Sequence, residues 1–517
     1  MNVIYKLYCQ VCVLICKVKY IIYFNTFINV LLINYLYYKL WNVSNNKLIL
    51  LFNFCVKLNG CIIIKFIQWF NTNLEFVFNN SKNSEFISQL FTQYYEDCPI
   101  HKLKYTKDLF FKEFGVLFDD YFELDNTFLI KSGSVAQVYK ATIKQPNANC
   151  YTKNVAIKVV HPEIDYQLLC PLFYVKAYIY LVTNFKCLKK YDIVIDLDSF
   201  FCNLKKQINM ENEYKNNEYF YNTYCNNNII IIPKPLMKSK NFLIMEFIHG
   251  EQLETLDISD YKKQIVFSFI GMFVKDTIIN GKYIHCDLHE ANWKIYKQAD
   301  VDNNNNNNNN SQVTFNYKIV VYDFGYVIEN TMHCALKNFL YYLDCNNYYE
   351  LGSLLFNNIR NINIDTSNIS NLIKCKEEFI AKYKKHIVTS YPYSDNMLMS
   401  TANFCYINGY KLNNNLLDYF ISIMLLNKHY KKYIFLNNSN SYNQEVYYKN
   451  VYTTNMFYIS ICEKYDVFHN IKDYLYDTYI SNSIFTEKIA YTNNYFNTLK
   501  NSHSAMSENI IGSSFDI

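Results

Sequence analysis

The first part of the chain is apolar over a long stretch. Residues 1–60 are rich in aromatic and aliphatic side chains, and Tyr20–Tyr38 contains no charged residue. A helix of that length can cross a bilayer, and Lys17 and Lys19 flank its start as they do in anchored helices. Asparagines dilute the stretch, and each is costly in hydrocarbon. The pattern therefore fits either a membrane anchor or an amphipathic or buried helix of a folded domain.

Farther along, the hydrophobic pattern changes from helical to alternating and back. Residues 74–125 look helical, and β-rich runs then begin at Val135–Tyr139 and Val155–Val159. The turn residues of Gln145–Lys153 separate these runs, which predicts an antiparallel pair of strands. The further elements predicted are helices at 166–185, 201–224 and 261–280, strands at 229–232, 242–247 and 319–322, and a mostly helical remainder over 330–490. This order indicates an α+β protein with a β-rich lobe, a hinge near 246–250 and a helical lobe.

Composition excludes several classes of protein. Of the 517 residues, 51% are hydrophobic and 18% are charged, so disorder of the whole chain is excluded. The net charge of +5 is weak for this length and no basic stripe occurs, so no nucleic-acid partner is expected. Arg360 is the single arginine, which indicates AT-rich coding bias and means that an Arg-rich presequence could hardly be recognised.

The 17 cysteines are scattered without regular spacing, which is typical of reduced thiols in an intracellular protein. Cys9, Cys12 and Cys16 could form half of a metal site, but no pair of His or Cys residues lies nearby in the sequence to complete it. No zinc site is therefore expected there.

Four elements that could carry chemistry follow one another in a fixed order. The first is Ser132-Gly133-Ser134-Val135, a turn of small residues entering a strand, where backbone N–H groups can approach phosphate oxygens. The second is Val155-Ala156-Ile157-Lys158, in which a lysine ammonium within an apolar strand must be paired or face a cleft. Taken singly, each has an ordinary explanation as a surface turn or an edge-strand lysine.

The third and fourth elements supply oxygen ligands. Asp287 and Asn292 stand five positions apart, the D-x-x-x-x-N spacing of a phosphoryl-transfer loop. Asp323-Phe324-Gly325 follows the hydrophobic run Val320–Tyr322 and would deliver a carboxylate to Mg²⁺. Because all four elements occur in the order of a kinase active site, the sequence predicts a phosphoryl-transfer site.

At these residues the chain resembles the ABC1/AarF/UbiB family of atypical protein-kinase-like proteins, over roughly residues 60–330 and most closely in the wording of its aarF-domain-containing kinase 2 branch. The phrases that carry the resemblance are Ser132–Ala141 for the Ala/Ser-rich loop, Val155–Pro162 for the V-A-I-K strand with its trailing His-Pro, Leu243–Gly250 for the hinge strand, His285–Asn292 for the catalytic loop and Ile64–Trp69 for the K-x-G-Q segment. The resemblance implies a bilobal, α+β protein-kinase-like fold. It would have a small β-rich N-lobe, a helical C-lobe and extra N-terminal helices packing over the cleft.

The resemblance also implies roles for individual residues, with ATP and Mg²⁺ as cofactors. Lys158 would contact the α- and β-phosphates and pair with Glu213, and Asp287 would be the catalytic base. Asn292 and Asp323 would bind Mg²⁺. The residues expected to line the nucleotide are Ser132, Gly133, Ser134, Val135, Ala156, Lys158, Met245, Glu246 and Ile248. A segment containing Lys65 and Gln68 would cover the cleft.

Several positions depart from the family's motifs. The Gly of K-x-G-Q is Ile67, and the two carboxylates of the E-x-D motif are the amides Gln207 and Asn209. Lys131 replaces the first Ala of the loop, and Glu290-Ala291 replaces Pro-Gly in the catalytic loop. That loop also lacks the Arg of H-R-D, and no A-P-E triplet follows D-F-G, so switching by a phosphorylated activation loop is not expected.

Five parts are predicted along the chain. They are a possible membrane anchor at 1–60, a helical extension at 61–128, a kinase-like N-lobe at 129–250, a C-lobe at 251–490 with an Asn-rich insert at 301–312, and a polar tail at 491–517. The insert contains Asn303–Asn310, and in a kinase fold it would lie at the tip of a β-hairpin, where a solvated loop costs little.

The predicted function is that of an atypical kinase or ATPase that binds Mg-ATP. Analogy with the family suggests membrane association, a mitochondrial location and a link to ubiquinone-type isoprenoid lipid metabolism, with membrane lipid or an isoprenoid-lipid enzyme complex as partner; no clear presequence supports the location. Two alternatives stay open. The changes at Ile67, Gln207 and Asn209 favour a non-catalytic pseudokinase scaffold, and a small-molecule phosphotransferase would also use an Asp…Asn loop.

Overall fold

The computed structural model describes most of the chain as far as Phe420. The described ranges are 2–41, 45–72, 100–144, 154–185, 197–227, 229–258, 281–297, 317–331, 347–361 and 369–390, with position 98, position 342 and scattered positions within 263–277 and 400–420. Several predicted parts lie outside the described residues. They are positions 74–97 of the predicted helical stretch, the Asn-rich insert, residues 421–490 and the polar tail.

Two compact units make up the chain. The first comprises Met1–Glu218 and Lys234–Phe247, and the second comprises Tyr219–Pro233 and Ile248–Ile517. The helices of the first unit are α1 (Asn2–Trp41), α2 (Asn46–Asn59), α3 (Cys61–Thr72), α4 (Leu103–Phe114), α5 (Phe118–Tyr121), α6 (Ile164–Asn184), α7 (Leu197–Gln207) and the start of α8 (Met210–Tyr224).

A five-stranded antiparallel sheet organises the first unit. Its strands are β1 (Phe122–Ser132), β2 (Ala136–Ile143), β3 (Asn154–Val160), β5 (Pro235–Lys238) and β6 (Phe242–Glu246), in the order β1-β2-β3-β6-β5. The predicted antiparallel pair, β2 with β3, is confirmed. Because side chains alternate along a strand, Val155, Ile157 and Val159 pack on one face against phenylalanines of α4 and α5. Lys158 therefore lies on the other face, among residues of α6, α7 and α8.

The N-terminal helices form a core of their own beside this sheet. Phe27 of α1, Phe52 of α2 and Ile67 of α3 are each at most 2% exposed and belong to one apolar cluster. The chain turns by 119° between α2 and α3. Gly60 makes this turn at a φ of 80°, and a Cβ there would lie 2.6 Å from the Gln167 side chain, so the position requires glycine.

Helix α1 is long and apolar enough, over Gln10–Trp41, to cross a membrane, although core helices of soluble proteins also meet that criterion. One side of it is bonded to the first unit. Lys19 and Tyr20 donate hydrogen bonds to the Glu163 carboxylate at 2.6 and 2.8 Å, and Asn59 of α2 donates to the Tyr23 carbonyl. A face of α1 is thus committed to protein contacts.

The second unit contains smaller sheets and helices. Its described strands are β4 (Ile230–Ile231), β7 (Tyr283–His285), β8 (Trp293–Lys297), β9 (Tyr317–Val321), β10 (Val327–Glu329), β11 (Ile359–Asn361) and β12 (Tyr410–Leu412), and its helices include α9 (Tyr348–Asn357) and α10 (Ile369–Ser390). Strands β8 and β9, which flank the Asn-rich insert in the sequence, pair antiparallel, and the insert itself lies outside the described residues. The described residues between Lys263 and Thr277 are helical, as the amphipathic pattern predicts.

The structure differs from the predicted elements at several places. Residues 122–125, expected to be helical, begin β1, which pairs with β2. The helix expected over 201–224 is two helices, because Asn209 ends one turn and its side chain accepts from the Glu211 N–H at the start of α8. The short strand β5 carries little periodic signal and was not predicted.

Candidate active site

Lys158 and Glu213 form a buried ion pair within the first unit. Lys158 Nζ lies 2.7 Å from Glu213 Oε1, and the two side chains are 11% and 1% exposed. β3 supplies the lysine from its apolar run, and the first turn of α8 supplies the glutamate. The apolar strand needs such a partner, because an unpaired ammonium there would be strongly destabilising. The pairing expected from the sequence is present, and its part in catalysis stays a prediction.

Residues predicted to line the adenine base of the nucleotide lie at the end of β6, which is the neighbour of β3 in the sheet. Met245 of β6 pairs with Ala156 of β3, and Glu246 pairs with Val155. Met245 is 4% exposed and its sulfur accepts from the Asn217 amide at 3.6 Å. Ile248, the next predicted lining residue, belongs to the second unit, where its carbonyl accepts a hydrogen bond from the Tyr322 hydroxyl at 3.0 Å.

The loop Ser132-Gly133-Ser134-Val135 joins β1 to β2. The Gly133 N–H donates to the Ala136 carbonyl at 2.9 Å, which closes a tight turn. His161, directly after β3, donates from its backbone N–H to the Val135 carbonyl at 3.1 Å and contacts the Gly133 carbonyl through its ring. The loop is therefore held by the residue that follows the V-A-I-K strand.

In the second unit, Asp287 and Asn292 are joined by one turn. Asn292 is 5% exposed and ends a 3₁₀ turn, Glu290–Asn292, whose N-terminus is capped by the His289 ring. Its side-chain N–H donates to the Asp287 carbonyl at 2.6 Å. The oxygen of the same amide is then the atom that can face a cation. Asp287 keeps a carboxylate that is 24% exposed, as a proton acceptor must.

Asp323 is oriented by its neighbours in the same unit. Its Oδ1 accepts from the Gly325 N–H at 2.9 Å, and Phe324 is fully buried against Phe220 at a ring separation of 4.9 Å. Asp323 is separated from the end of β9 by Tyr322 alone, and the hydrophobic pattern of this strand predicted the position. A carboxylate at Asp323 and an amide oxygen at Asn292 are the ligand types that Mg²⁺ prefers.

His285 is a functional candidate to which the sequence alone gave no role. Burial lowers the pKa of this histidine, so the ring is neutral at pH 7. Its Nδ1 accepts from the Asp287 N–H at 3.3 Å, so its Nε2 carries the proton and donates to the Asp323 carbonyl. The His285 ring thus links the Asp287 segment to the Asp323 segment by hydrogen bonds. The sequence feature that could have indicated this role is the position of His285 two residues before Asp287.

The segment predicted to cover the cleft lies on α3. Lys65 and Gln68 are partly buried. Ile67 between them is completely buried and packs in the N-terminal helix core with Phe27 and Phe52. The isoleucine that replaces the motif's glycine is therefore a packing residue of that core.

Together, these features define a protein-kinase-like protein: an antiparallel sheet whose third strand carries a lysine paired to a helix glutamate, then an Asp…Asn turn, then Asp-Phe-Gly after a strand. Residues 93–346 match the family model described as the ABC1 atypical kinase-like domain, and this part of the chain belongs to that family.

Relatives of known name match over less than half of the chain. The chain is 24% identical over 237 residues to the ABC1 family protein MCP2 of Saccharomyces cerevisiae, which covers 44% of this chain and 40% of MCP2. It is 26% identical over 219 residues to the probable serine/threonine-protein kinase abkB of Dictyostelium discoideum, covering 41% and 32%. The matches thus span two fifths or less of the length of these two relatives.

Similarity to solved structures is low. A complex of Rv3197 with erythromycin from Mycobacterium tuberculosis has a TM-score of 0.40 and 13% identity, covering 62% of this chain and 82% of that one. Rio2 kinase of Chaetomium thermophilum, in a complex with ADP/Mg²⁺ and phosphoaspartate, has a TM-score of 0.26 and 11% identity, covering 63% and 85%. The family assignment rests on the family model and on the order of the site residues.

Proposed function

We propose that this protein binds Mg-ATP and acts as an ABC1/UbiB-like atypical kinase or ATPase. The observation that carries the proposal is the buried Lys158–Glu213 ion pair on the V-A-I-K strand. A buried ion pair adds little to stability compared with an apolar pair of the same size. Its retention in an otherwise apolar sheet face is explained if the ammonium has a second task, which in kinase-like sites is to contact nucleotide phosphates.

The remaining site residues divide into binding and chemistry. The backbone of Ser132–Val135 would hold phosphate oxygens, and Ala156, Met245, Glu246 and Ile248 would line the base, with Lys65 and Gln68 as the covering segment. Asp287 would accept the proton of the attacking hydroxyl or water, since its carboxylate reaches solvent. His285 would keep the Asp287 and Asp323 segments in register by its two hydrogen bonds.

Magnesium fits the donor set. Asn292 and Asp323 would hold the ion through one amide and one carboxylate oxygen, and Mg²⁺ would neutralise phosphate charge when bound. Among the described residues no group of three or more His, Cys, Asp or Glu residues could hold a metal alone. That agrees with a cation that takes its other ligands from phosphate and water, as Mg²⁺ usually does.

Membrane association is a further part of the proposal. Leu14, Ile15 and Ile22 of α1 are 60%, 60% and 57% exposed, while Lys19 and Tyr20 hold α1 to Glu163. An apolar helix face outside the contacts to its own unit would be stabilised against lipid. Isoprenoid-lipid metabolism and a mitochondrial setting stay with the family analogy; the related kinase 3 of the ABC1 family from Arabidopsis thaliana is named as chloroplastic.

The test is thermal unfolding of the full chain with and without Mg-ATP, together with ATP hydrolysis with and without liposomes. A ligand that binds only the folded state raises Tm. In the variant Lys158→Met/Glu213→Gln, which removes both buried charges, the shift should disappear. The matched control is Lys240→Met/Asp165→Asn, an ion pair whose side chains are 57% and 59% exposed, and the shift should be retained.

The outcomes separate the candidate functions. A Mg²⁺-dependent shift with hydrolysis stimulated by lipid supports an ATPase or kinase. A shift without turnover favours the pseudokinase scaffold, and an observation favours that candidate too, because the amide of Asn209 serves as a cap for α8 where the family has a carboxylate. No shift, or an equal shift in both double variants, rejects the nucleotide site.

A further inference from the structure

A set of buried polar side chains lies beside the β1–β2 loop, apart from the residues assigned to phosphoryl transfer. The members come from the segment before α4, from α4, from β2 and from the residue after β3. Each is at most 8% exposed: His101, Thr106, Gln137, Tyr139 and His161. Buried polar groups at this density are stable only when every donor and acceptor is satisfied.

The five side chains form one continuous chain of hydrogen bonds. Gln137 Nε2 donates to the Tyr139 hydroxyl at 2.7 Å, which lies 3.0 Å from Thr106 Oγ1. Thr106 Oγ1 is 3.0 Å from His101 Nε2, and His101 Nδ1 is 2.9 Å from His161 Nδ1. The chain ends where His161 Nε2 lies 2.9 Å from the carbonyl oxygen of Gly133, in the β1–β2 loop.

Only one placement of protons satisfies this chain when both rings are neutral. A carbonyl oxygen can only accept, so His161 Nε2 carries its proton and His161 Nδ1 accepts. His101 Nδ1 therefore donates, and His101 Nε2 accepts from the Thr106 hydroxyl. Tyr139 then donates to Thr106 and accepts from Gln137. Every proton in this chain of hydrogen bonds points towards the loop. At the far end, the backbone N–H of His101 donates to Gln137 Oε1 at 2.9 Å and fixes the orientation of the Gln137 amide.

Burial supports the neutral state of both rings. It lowers the pKa of His101 to about 4, with the neighbouring His161 ring as a second cause, and it also lowers the pKa of His161. The hydrogen bond to the Gly133 carbonyl acts in the opposite direction on His161 without cancelling the effect of burial. At neutral pH the chain therefore has the single proton arrangement described above.

His161 holds the loop at two carbonyls. Its ring bonds Gly133 and its backbone N–H bonds Val135. In a planar trans peptide the C=O and the following N–H point in opposite directions, so the N–H groups of Ser134 and Ala136 are turned away from His161. Backbone N–H groups that are held in a fixed orientation can bind phosphate oxygens in such loops.

We propose that His101 and His161 are positioning residues, which fix the Gly133 carbonyl through this oriented chain and thereby preset the β1–β2 loop for the phosphates of a nucleotide. The nucleotide part of the inference rests on the proposed function. The positioning of the loop does not rest on that function, because the chain of hydrogen bonds is complete without a ligand.

The test compares three variants of the full chain. His161→Met removes both ring hydrogen bonds at similar volume, and His161→Gln retains a terminal N–H donor and an acceptor. His386→Met is the matched control, at a histidine of α10 that bonds to Ser400 in the second unit. Thr106→Val removes only the hydroxyl that donates a hydrogen bond to His101 Nε2. This variant replaces His161→Met in the test if His161→Met fails to fold.

Two readouts are needed, hydrogen exchange of residues 131–137 without nucleotide and affinity for Mg-ATP against adenosine. Loss of one or two hydrogen bonds in His161→Met should accelerate hydrogen exchange of the loop amides about tenfold. In His161→Met the Kd for Mg-ATP should rise about tenfold, while the Kd for adenosine should stay within about twofold of the wild-type value. The reason is that adenosine has no phosphate to bind the loop. His161→Gln should recover most of both losses.

Each outcome is decisive. Unchanged loop exchange in His161→Met overturns the inference. Exchange that rises equally throughout the first unit, or equal losses for Mg-ATP and adenosine, also overturns it, because His161 would then serve stability alone. If the wild-type protein binds no nucleotide while loop exchange still rises locally in His161→Met, the proposed function fails and the positioning of the loop stands.

Discussion

Lys158 Nζ lies 2.7 Å from Glu213 Oε1 in an environment that leaves the glutamate 1% exposed. The two charges come from β3 and α8, so the contact fixes the helix against the sheet. Kinase-like sites depend on this contact because it directs the ammonium towards phosphates. It also makes the stability of the first unit sensitive to each partner separately.

Removing one partner should destabilise the protein more than removing both. Glu213→Ala removes the carboxylate that the buried Lys158 ammonium contacts, and we expect it to lower the free energy of unfolding by about 3–5 kcal/mol. Lys158→Met/Glu213→Leu should recover most of that loss. Urea denaturation measures both. Asp165→Ala, which breaks the exposed pair with Lys240, should cost at most about 1 kcal/mol. A similarly small cost for Glu213→Ala would contradict this interpretation of the pair.

Asp323→Asn should separate metal binding from folding. The amide oxygen of Asn can still accept from the Gly325 N–H, so the unliganded protein should lose less than about 1 kcal/mol of stability. The negative charge is lost, so the Mg²⁺-dependent part of the ATP-induced Tm shift should vanish. Thermal unfolding with ATP and Mg²⁺, in the presence and absence of EDTA, measures this part of the shift. Asp165→Asn is the control, and an undiminished Mg²⁺ dependence in Asp323→Asn would remove Asp323 from the metal site.

Local sequence signals predicted much of the site. Val155–Val159 is a short β-branched run, and the strand and its antiparallel partner followed from that. Lys158 was noticeable because a charge in such a run requires a partner. The aspartates at 287 and 323 were found by spacing and by the strand before Asp-Phe-Gly, both of which are local features.

What the sequence could not supply are contacts between residues far apart in the chain. His101 and His161 are separated by 60 positions and meet only because α4 packs against the sheet. The sequence likewise gave Ile67 the place of a motif glycine over the cleft, while the structure buries its side chain among α1 and α2. Burial of this kind depends on tertiary packing, for which a single position in a motif carries no signal.

Because Ile67 is buried, a glycine at this position tests the packing of the N-terminal helix core. Ile67→Gly removes a fully buried side chain and adds a flexible residue inside α3. We expect a loss of about 4 kcal/mol in the free energy of unfolding, from the cavity and from helix propensity together. Leu50→Gly in α2, where the leucine is 68% exposed, should cost only about 1 kcal/mol. Chemical denaturation of both variants compares them, and equal losses would show that Ile67 is not a core residue.

Because His101 is buried in the chain of hydrogen bonds, the free energy of unfolding should decrease at acidic pH. The pKa of His101 is about 4 in the folded protein against an ordinary value of 6.5, so the unfolded chain binds more protons between these values. Stability is therefore fully present above about pH 6.5 and is lost as the pH falls to about 4, by up to about 3 kcal/mol.

Substitution isolates that dependence from the titration of carboxylates in the same range. His101→Gln has no ring to protonate, so its free energy of unfolding should fall less steeply than that of the wild type between pH 6.5 and 4. Urea denaturation at several pH values measures both slopes. A slope for His101→Gln equal to that of the wild type would mean that His101 binds protons equally in the folded and unfolded protein, and the lowering of its pKa by burial would then be wrong.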